Sequence, residues 1–346
     1  MIVELTKEYE KKWNDYLNKN LNSTIFHTLE WKELTKKNYG YEPLYFLSLE
    51  SNQVNGILPL FHIKNLFNNK ISSNPFSFIA PILYDNDEAL KRLINHSIEF
   101  ARKEGVDFLE LKFKDELKNN DFGLVEGEQK DLLPILYLKS IEEIKNNYHK
   151  RLRKNLRTIK RNVEKNDIVF EFVEDEDSFK QFYNILLKET IKKHKSIFHS
   201  YNFFNELYKT NKLFVAKKNK KILAGMFMLI HNREVKYFLA ASDLRYKSLS
   251  LSTILVDKAI EWAVKNNFKI FDMGLNSPSQ ESLLGFKKKW NPKIHNVCYY
   301  YYLINKKKKI KQFDFVNSYK KTREILKYIP PTLIKPFLPF IIKQFG

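Results

Sequence analysis

LVDKAIEWAVKNNFKIFDMGL, the stretch Leu255–Leu275, aligns without a gap on LINHSIEFARKEGVDFLELKF, the stretch Leu93–Phe113. Helix, turn and strand correspond position by position in the two stretches. Upstream of each copy, two apolar strands joined by a polar hairpin surround a glycine, Gly56 in the first copy and Gly225 in the second. The sequence therefore predicts a duplicated α/β (α+β) unit, in which each copy has a hairpin, further strands, a helix and another strand.

The second copy continues into a stretch that is typical of a binding edge. A buried strand is predicted over 269–273, followed by an exit at Gly274, a polar loop and a short helix. Phe286 and Trp290 are four residues apart and share one helix face, which predicts that they anchor the helix in the core. We expect Lys287, Lys288 and Lys289 to fan around the rest of the helix circumference.

The charge of the chain favours an anionic partner. Sixty basic and 40 acidic side chains leave a formal net charge of +20. Nucleic acid, a phosphorylated substrate or an acidic lipid surface would each suit this imbalance, and a generally lysine-rich composition is the alternative explanation. The hydrophobic fraction of 43% is that of a globular protein.

Several functions are excluded by what the sequence lacks. The single cysteine, Cys298, lies in an apolar run and is predicted to be a buried strand residue. We find no metal-ligand spacing and no Ser/His/Asp triad. The N-terminus has no apolar signal region, and no stretch is long and apolar enough to span a bilayer. These features predict a cytoplasmic protein without a metal or a tightly bound cofactor.

A basic segment, predicted to be helical over 141–167, lies between the two copies. Its apolar stripe consists of Leu152, Leu156, Ile159 and Val163. Several cations along one helix face can follow a polyanion, and the arginine fork suits phosphate. The alternative is an ordinary surface helix with solvated cations. The cations that we expect to bind the donor or its phosphate are Arg151, Arg153, Lys154, Arg157 and Arg161.

The chain divides into an N-terminal domain over 1–138, a C-terminal domain over 139–305 that opens with the basic helix, and a tail over 306–346. The tail begins with KKKKIK and ends in PTLIKPFLPFIIKQFG, which is very apolar for a terminus. It could pack against the body of the protein. It could instead act as an interfacial anchor whose lysines are attracted to anionic headgroups, giving peripheral contact with a membrane.

The order and spacing of several motifs resemble the Fem-type (FemAB/FemX-like) peptidyltransferases and the wider group of acyltransferases with two fused GNAT-like domains. The motifs are FHTLEWKELTKKNYGYEP, NGILPL, KRLRKNLRTIKRN, YFLAASD, LSTILVDKAIEWA, FDMG and FKKKW. The resemblance runs from about Thr24 to the C-terminus. It implies two tandem GNAT-like domains followed by a helical tail.

The resemblance also implies acyl transfer to an amine of a cell-envelope precursor, such as the peptide stem of peptidoglycan. The lysine of the family's FK motif corresponds to Lys287, which would stabilise the oxyanion or a donor phosphate. Asp272 would accept a proton from the attacking amine or orient a substrate group. The residues that we expect to bind substrate are His27, Trp31, Tyr237, Asp243, Asn276, Ser279 and Trp290.

The donor has two alternatives, aminoacyl-tRNA and acyl-CoA. The loop LRYKSLSLS lacks the glycines with which ordinary acetyltransferases hold the coenzyme A pyrophosphate, which favours aminoacyl-tRNA. A second departure from the family is Asn291, which follows Trp290 where many members have glycine, so we expect a different turn after the helix. An acyl-CoA-dependent acetyltransferase acting on a sugar or small-molecule amine is the second hypothesis. A non-catalytic RNA- or membrane-binding protein on the same scaffold is the third, and DNA is not expected as a partner.

Overall fold

The computed structural model describes residues 1–66, 68–118, 120–128, 130–192, 199–305 and 335–344. The chain forms two compact units. The first contains Met1–Leu132 together with the described residues 295–305 and 340–344, and the second contains Leu133–Ile294 and 335–339. The predicted tail therefore lies outside the described residues except for 335–344. None of the described helices is both long and apolar enough to cross a membrane.

The first unit is built on a mixed sheet in the order β1-β2-β3-β4-β6-β14, with β5 beside β3 and β7 beside β14. Its strands are β1 (Ile2–Glu4), β2 (Glu42–Glu50), β3 (Gln53–Lys64), β4 (Asn69–Ser73), β5 (Leu83–Tyr84), β6 (Phe108–Lys114), β7 (Val125–Glu126) and β14 (Lys293–Leu303). Its helices are α1 (Glu10–Lys19), α2 (Leu29–Tyr39) and α3 (Asp87–Lys103). Cys298 is fully buried in β14, as predicted from its apolar run.

The second unit is built on a mixed sheet in the order β8-β13-β12-β11-β10-β9. Its strands are β8 (Asp131–Tyr137), β9 (Val169–Val173), β10 (Lys212–Lys218), β11 (Lys221–His231), β12 (Glu234–Ser242) and β13 (Ile270–Asp272). Its helices are α4 (Ile141–Asn147), α5 (Lys150–Lys165), α6 (Glu176–Lys192), α7 (Tyr201–Tyr208), α8 (Leu251–Lys265) and α9 (Glu281–Lys288). A last short helix, α10 (Leu338–Lys343), follows near the C-terminus.

The two units repeat one connection. Strands β2, β3 and β4 run antiparallel, then α3 leads to β6, which pairs with β4 in parallel. Strands β10, β11 and β12 also run antiparallel, then α8 leads to β13, which pairs with β12 in parallel. The helix crosses the apolar face of the sheet because a parallel return requires such a crossover. The predicted α/β architecture of two tandem GNAT-like domains is confirmed.

The repeated glycine of each hairpin is required by close packing. A Cβ atom on Gly225 would lie 2.5 Å from the Phe182 ring of α6, and one on Gly56 would lie 3.0 Å from the side chain of Leu93 in α3. In both units a helix residue therefore packs directly on the backbone of the central strand, where a larger residue would collide.

The basic segment differs from the prediction in one respect. The sequence predicts one helix over 141–167, but α4 and α5 are separated at Tyr148 and His149. The backbone of Tyr148 is extended because its ring is buried in the core of the second unit, and His149 then caps α5 by accepting a hydrogen bond from the Arg151 N–H. The predicted apolar stripe of α5 is buried in that same core.

Candidate functional site

The candidate site begins where β13 ends in the second unit. Gly274 has φ of 81°, a left-handed conformation that favours glycine. Asp272 holds this turn, because its carboxylate accepts a hydrogen bond from the Gly274 N–H at 2.7 Å. The carbonyl of Gly274 lies past the end of β13 and accepts a hydrogen bond from another element.

A buried ion-pair group supports this turn from the neighbouring strand. The Lys236 ammonium lies 2.6 Å from Asp272 and 2.9 Å from Glu234, and all three residues are buried. Burial lowers the pKa of Lys236, but the two carboxylates outweigh it and raise the pKa above the ordinary value. Lys236 therefore stays charged and neutralises the acid at the strand exit.

Lys287 reaches the same turn from α9. Its side chain is 2% exposed and donates a hydrogen bond to the Gly274 carbonyl at 2.8 Å. Its ammonium lies 6.0 Å from the centre of the Tyr237 ring. Burial lowers the pKa of Lys287 to about 7, with Asp272 opposing that shift. A lysine with this pKa exchanges a proton near neutral pH, which suits a group that takes part in chemistry.

The burial of Lys287 corrects the expectation that all three lysines fan around the helix. Lys288 and Lys289 are exposed, whereas Lys287 points into the unit. Trp290 is buried and packs edge-to-face on the half-buried Phe286 at 4.7 Å, so the predicted aromatic anchor is confirmed. This anchor orients α9 so that Lys287 faces the strand exit.

Two buried polar side chains of this region lack partners among the described residues. Asn276 is fully buried, and neither its amide nitrogen nor its carbonyl oxygen has a hydrogen-bond partner in the described part of the chain. The indole N–H of Trp290 is also buried and has no hydrogen-bond partner among the described residues. Buried polar groups are almost always satisfied, so an unpaired amide two residues after Gly274 indicates a place where a ligand supplies the partner.

The other predicted residues of the second unit differ in burial and in their contacts. Tyr237 is half-buried, and burial raises the pKa of its hydroxyl. Asp243 caps a 3₁₀ segment, Leu244–Leu249, and pairs with Arg245. Ser279 is exposed and shares a hydrogen bond with Ser277 at 2.9 Å. Of these, Tyr237 is the one that contacts Lys287.

The two predicted residues of the first unit have structural contacts. The His27 ring bonds the Pro81 carbonyl at 2.9 Å and completes a capping box with Thr24. The Trp31 indole donates to Asn74 at 2.9 Å. Both side chains are buried, at 0% and 1% exposure, and these contacts account for their polar atoms. Their assignment to substrate binding therefore rests on the family resemblance alone.

The predicted cations of α5 form an exposed ridge on the second unit. Among the described residues, none of their side chains lies within ion-pair distance of a carboxylate. Lys160, on the flank of the helix, instead lies 3.4 Å from the buried Asp257 of α8. The ridge consists of Arg151, Arg153, Lys154, Arg157 and Arg161.

Sequence reasoning missed Lys236 and Glu234. Both lie in the strand EVKYFLAAS, where a lysine between apolar residues signals a buried ion pair. It also missed a second basic group around the β10–β11 turn. An open pocket of about 420 Å³ is lined by Lys218, Lys220, Lys221, Tyr246, Gln181, Asn219 and Leu223.

Comparisons with known proteins agree with this architecture. A family model described as an acetyltransferase (GNAT) domain matches residues 150–285, which end two residues before Lys287. No curated protein matches the sequence. The fold is that of a Fem-type tandem GNAT protein: a solved structure of FemX superimposes with a TM-score of 0.70 at 13% identity, covering 89% of this chain and 98% of that chain.

Two further solved structures share the fold. A structure described as L-PGS from Bacillus licheniformis has a TM-score of 0.56 at 15% identity and covers 88% of this chain and 98% of its own. A tandem GNAT protein from the clavulanic acid biosynthesis pathway has a TM-score of 0.54 at 9% identity, with the same coverage. Residues 150–285 thus match a GNAT acetyltransferase domain, and the chain has the fold of tandem GNAT proteins.

Proposed function

We propose that this protein transfers an aminoacyl group from a charged tRNA to a primary amine of a cell-envelope precursor. The observation that carries the proposal is Lys287, a buried lysine bonded to the Gly274 carbonyl at a turn held by Asp272. Nearby, the unpaired Asn276 amide offers its NH₂ group as a donor and its carbonyl oxygen as an acceptor to a bound substrate.

The chemistry needs no protein nucleophile. The acceptor amine attacks the ester carbonyl of the donor, a C–N bond forms, the C–O bond to the ribose breaks, and the amine proton passes to the departing oxygen. Negative charge grows on the carbonyl oxygen in the intermediate, and the Lys287 ammonium would stabilise it in a site with little water. Asp272 holds the Gly274 turn, which keeps the Gly274 carbonyl in place as the acceptor for Lys287.

Two groups of cations on the second unit support a nucleic-acid donor. Helix α5 lies against the 3₁₀ segment Leu244–Leu249. Tyr246 of that segment accepts a hydrogen bond from Lys221 at 3.3 Å, which links it to the β10–β11 turn. The second unit therefore carries exposed cations on α5 and at the pocket of that turn, and α5 alone, with 16 residues, is roughly 24 Å long. A phosphate backbone could follow this surface.

An acyl-CoA donor is the second candidate, and the GNAT domain match favours it. The segment before α8, where an acetyltransferase would hold pyrophosphate, contains no glycine between Asp243 and Ser250. It folds as a 3₁₀ turn, and its last residue, Ser250, is left-handed with φ of 50°. This segment therefore lacks the glycines of an ordinary pyrophosphate loop.

A binding titration separates the two donors. Purified protein is titrated with bulk charged tRNA and with acetyl-CoA, each at low and high salt. We expect tRNA binding that weakens steeply with salt and no saturable acetyl-CoA binding. The variant with Arg153, Arg157 and Arg161 changed to Gln should flatten the log–log salt slope by about 2 to 3. Saturable acetyl-CoA binding with weak tRNA binding would support the second candidate instead.

A matched control uses the same change of charge elsewhere. Lys7, Lys11 and Lys19 are exposed cations on the first unit, at and before α1. Changing these three to Gln should leave the tRNA salt slope within error of the wild-type slope. A loss equal to that of the α5 variant would mean that tRNA responds only to net charge, and the proposed track would be wrong.

A further inference from the structure

The sequence leaves open whether the C-terminal segment packs against the body of the protein or acts as an interfacial anchor. In α10, Leu338 and Ile342 are buried at 0% and 5% exposure, whereas Phe340 is 64% exposed. The segment therefore both packs into the protein and presents an aromatic side chain to solvent. A single exposed phenylalanine is ordinary, and it becomes informative where a second exposed apolar side chain lies beside it.

A second exposed apolar side chain lies beside this helix in the first unit. Leu66, in the turn between β3 and β4, is 75% exposed, the highest value for a large apolar side chain among the described residues. Its backbone N–H donates to the Gln344 side chain at 3.1 Å, and the Asn65 amide donates to the Lys343 carbonyl at 3.3 Å. The hydroxyl of Tyr41 donates to that same carbonyl at 2.6 Å.

These hydrogen bonds connect the turn that carries Leu66 to the helical segment that carries Phe340. The turn is further closed by the Asn68 N–H, which donates to the Asn65 side chain at 2.9 Å. Ordering two exposed apolar residues costs solvation and conformational freedom unless a partner buries them. We name the pair Leu66 and Phe340, with the turn and helix that carry them, the apolar edge.

The charge around the apolar edge identifies the partner. Residues 61–73 and 335–344 contain no Asp or Glu, while Lys64 is exposed at the end of β3 and Lys343 lies in α10. Apolar side chains on a turn apex and a short helix, flanked by the cations of Lys64 and Lys343, fit a fluid apolar phase under anionic headgroups. We propose that the apolar edge inserts into the surface of an anionic lipid bilayer.

Site-specific labelling tests the insertion directly, because the single cysteine of the chain is buried. Leu66→Cys, labelled with an environment-sensitive NBD fluorophore, should brighten on phosphatidylcholine vesicles that contain phosphatidylglycerol. Leu21→Cys is the matched control, since Leu21 is 71% exposed in a turn after α1. It should show no change. Equal responses of the two labels, or none at Leu66, would overturn the proposal.

Vesicle sedimentation separates insertion from attraction by charge. The double variant Leu66→Ser, Phe340→Ser keeps every charge and changes only exposed side chains, and we expect its partitioning to fall at least about tenfold. Leu21→Ser should partition like the wild type, and thermal unfolding should match for all three proteins. Undiminished binding of the double variant would assign the attraction to the basic ridge of α5 and would refute the apolar edge.

Discussion

The two units place an acid at the same position and use it differently. Glu110 in β6 lies opposite Ser72, and Asp272 in β13 lies opposite Lys236. Glu110 accepts a hydrogen bond from Ser72 at 2.6 Å and lies 3.6 Å from Lys70. The first unit therefore pairs its acid with a hydroxyl and a more distant cation, whereas the second pairs its acid directly with a buried ammonium.

The two units differ further in the residues that follow the acid. Lys112 aligns with Gly274 in the repeat, and β6 continues to Lys114, whereas β13 ends at Asp272. The described residues from 115 to 124 form no helix, whereas α9 follows β13 and brings in Lys287. The candidate site thus differs from its counterpart in the first unit by two features. It has a glycine that turns the chain after the strand, and it has a helix that supplies a cation. The two units therefore share one scaffold, and the candidate site lies in the second of them.

The largest expected effect compares the two buried lysines. Lys236→Met leaves Asp272 and Glu234 buried without their cation and should cost about 3–5 kcal/mol of unfolding free energy. Lys70→Met should cost about 1–3 kcal/mol, since Glu110 keeps the Ser72 hydrogen bond. Chemical denaturation followed by circular dichroism measures both. Similar losses in the two variants would show that the units hold their acids with equal strength.

The second prediction concerns catalysis. Lys287→Met should lower the rate of aminoacyl transfer from charged tRNA to an amine-bearing peptide stem by about 10²–10³-fold, because the oxyanion loses its cation. Lys112→Met in the first unit and Lys288→Met on the exposed face of α9 should keep most of the activity. A Lys287→Met protein that transfers at the wild-type rate would favour a binding protein on an acyltransferase scaffold.

The third prediction uses the lowered pKa of Lys287, about 7. Between pH 7 and the pKa of an unfolded lysine, the unfolded chain holds a proton that the native lysine has released. The free energy of unfolding therefore rises with pH over this range. The destabilisation caused by burying the charged form of Lys287 is greatest below pH 7. Relative to wild type, Lys287→Met should be more stable at pH 6 than at pH 9 by about 2–3 kcal/mol.

Thermal or denaturant unfolding at the two pH values measures that difference. Lys288→Met is the control, because its exposed side chain loses no solvation on folding. A Lys287→Met advantage that does not change with pH would mean that Lys287 titrates as an ordinary surface lysine, and the buried cation would no longer distinguish the second unit.

The smallest effect compares the two hairpin glycines. Gly225→Ala forces a methyl group into the Phe182 ring and should cost about 1–3 kcal/mol. Gly56→Ala meets Leu93 at a longer distance, 3.0 Å, and should cost about 1 kcal/mol. Unfolding midpoints of the two variants test this order. The opposite order would show that α3 packs on its sheet more rigidly than α6 does.

The duplicated fold and the apolar stripe of α5 were predictable from sequence alone. Helix and strand periodicity, paired hairpins and a gapless repeat are local patterns, and each of them recurs in both copies. The motif around Lys287 was also recognisable, because motif order along the chain is a property of sequence. The break at Tyr148 was not predictable, since the periodicity of the segment continues through it.

Tertiary structure decided which side chains of the candidate site meet. Helical spacing places Lys287 beside two exposed lysines and cannot tell them apart, because only the packing of Phe286 and Trp290 sets the rotation of α9. Lys236, Asp272 and Gly274 come together because β12 and β13 pair in one register. Leu66 and Gln344, 278 residues apart, likewise meet only in the folded chain. Long-range register and helix rotation depend on packing, which local sequence patterns do not encode.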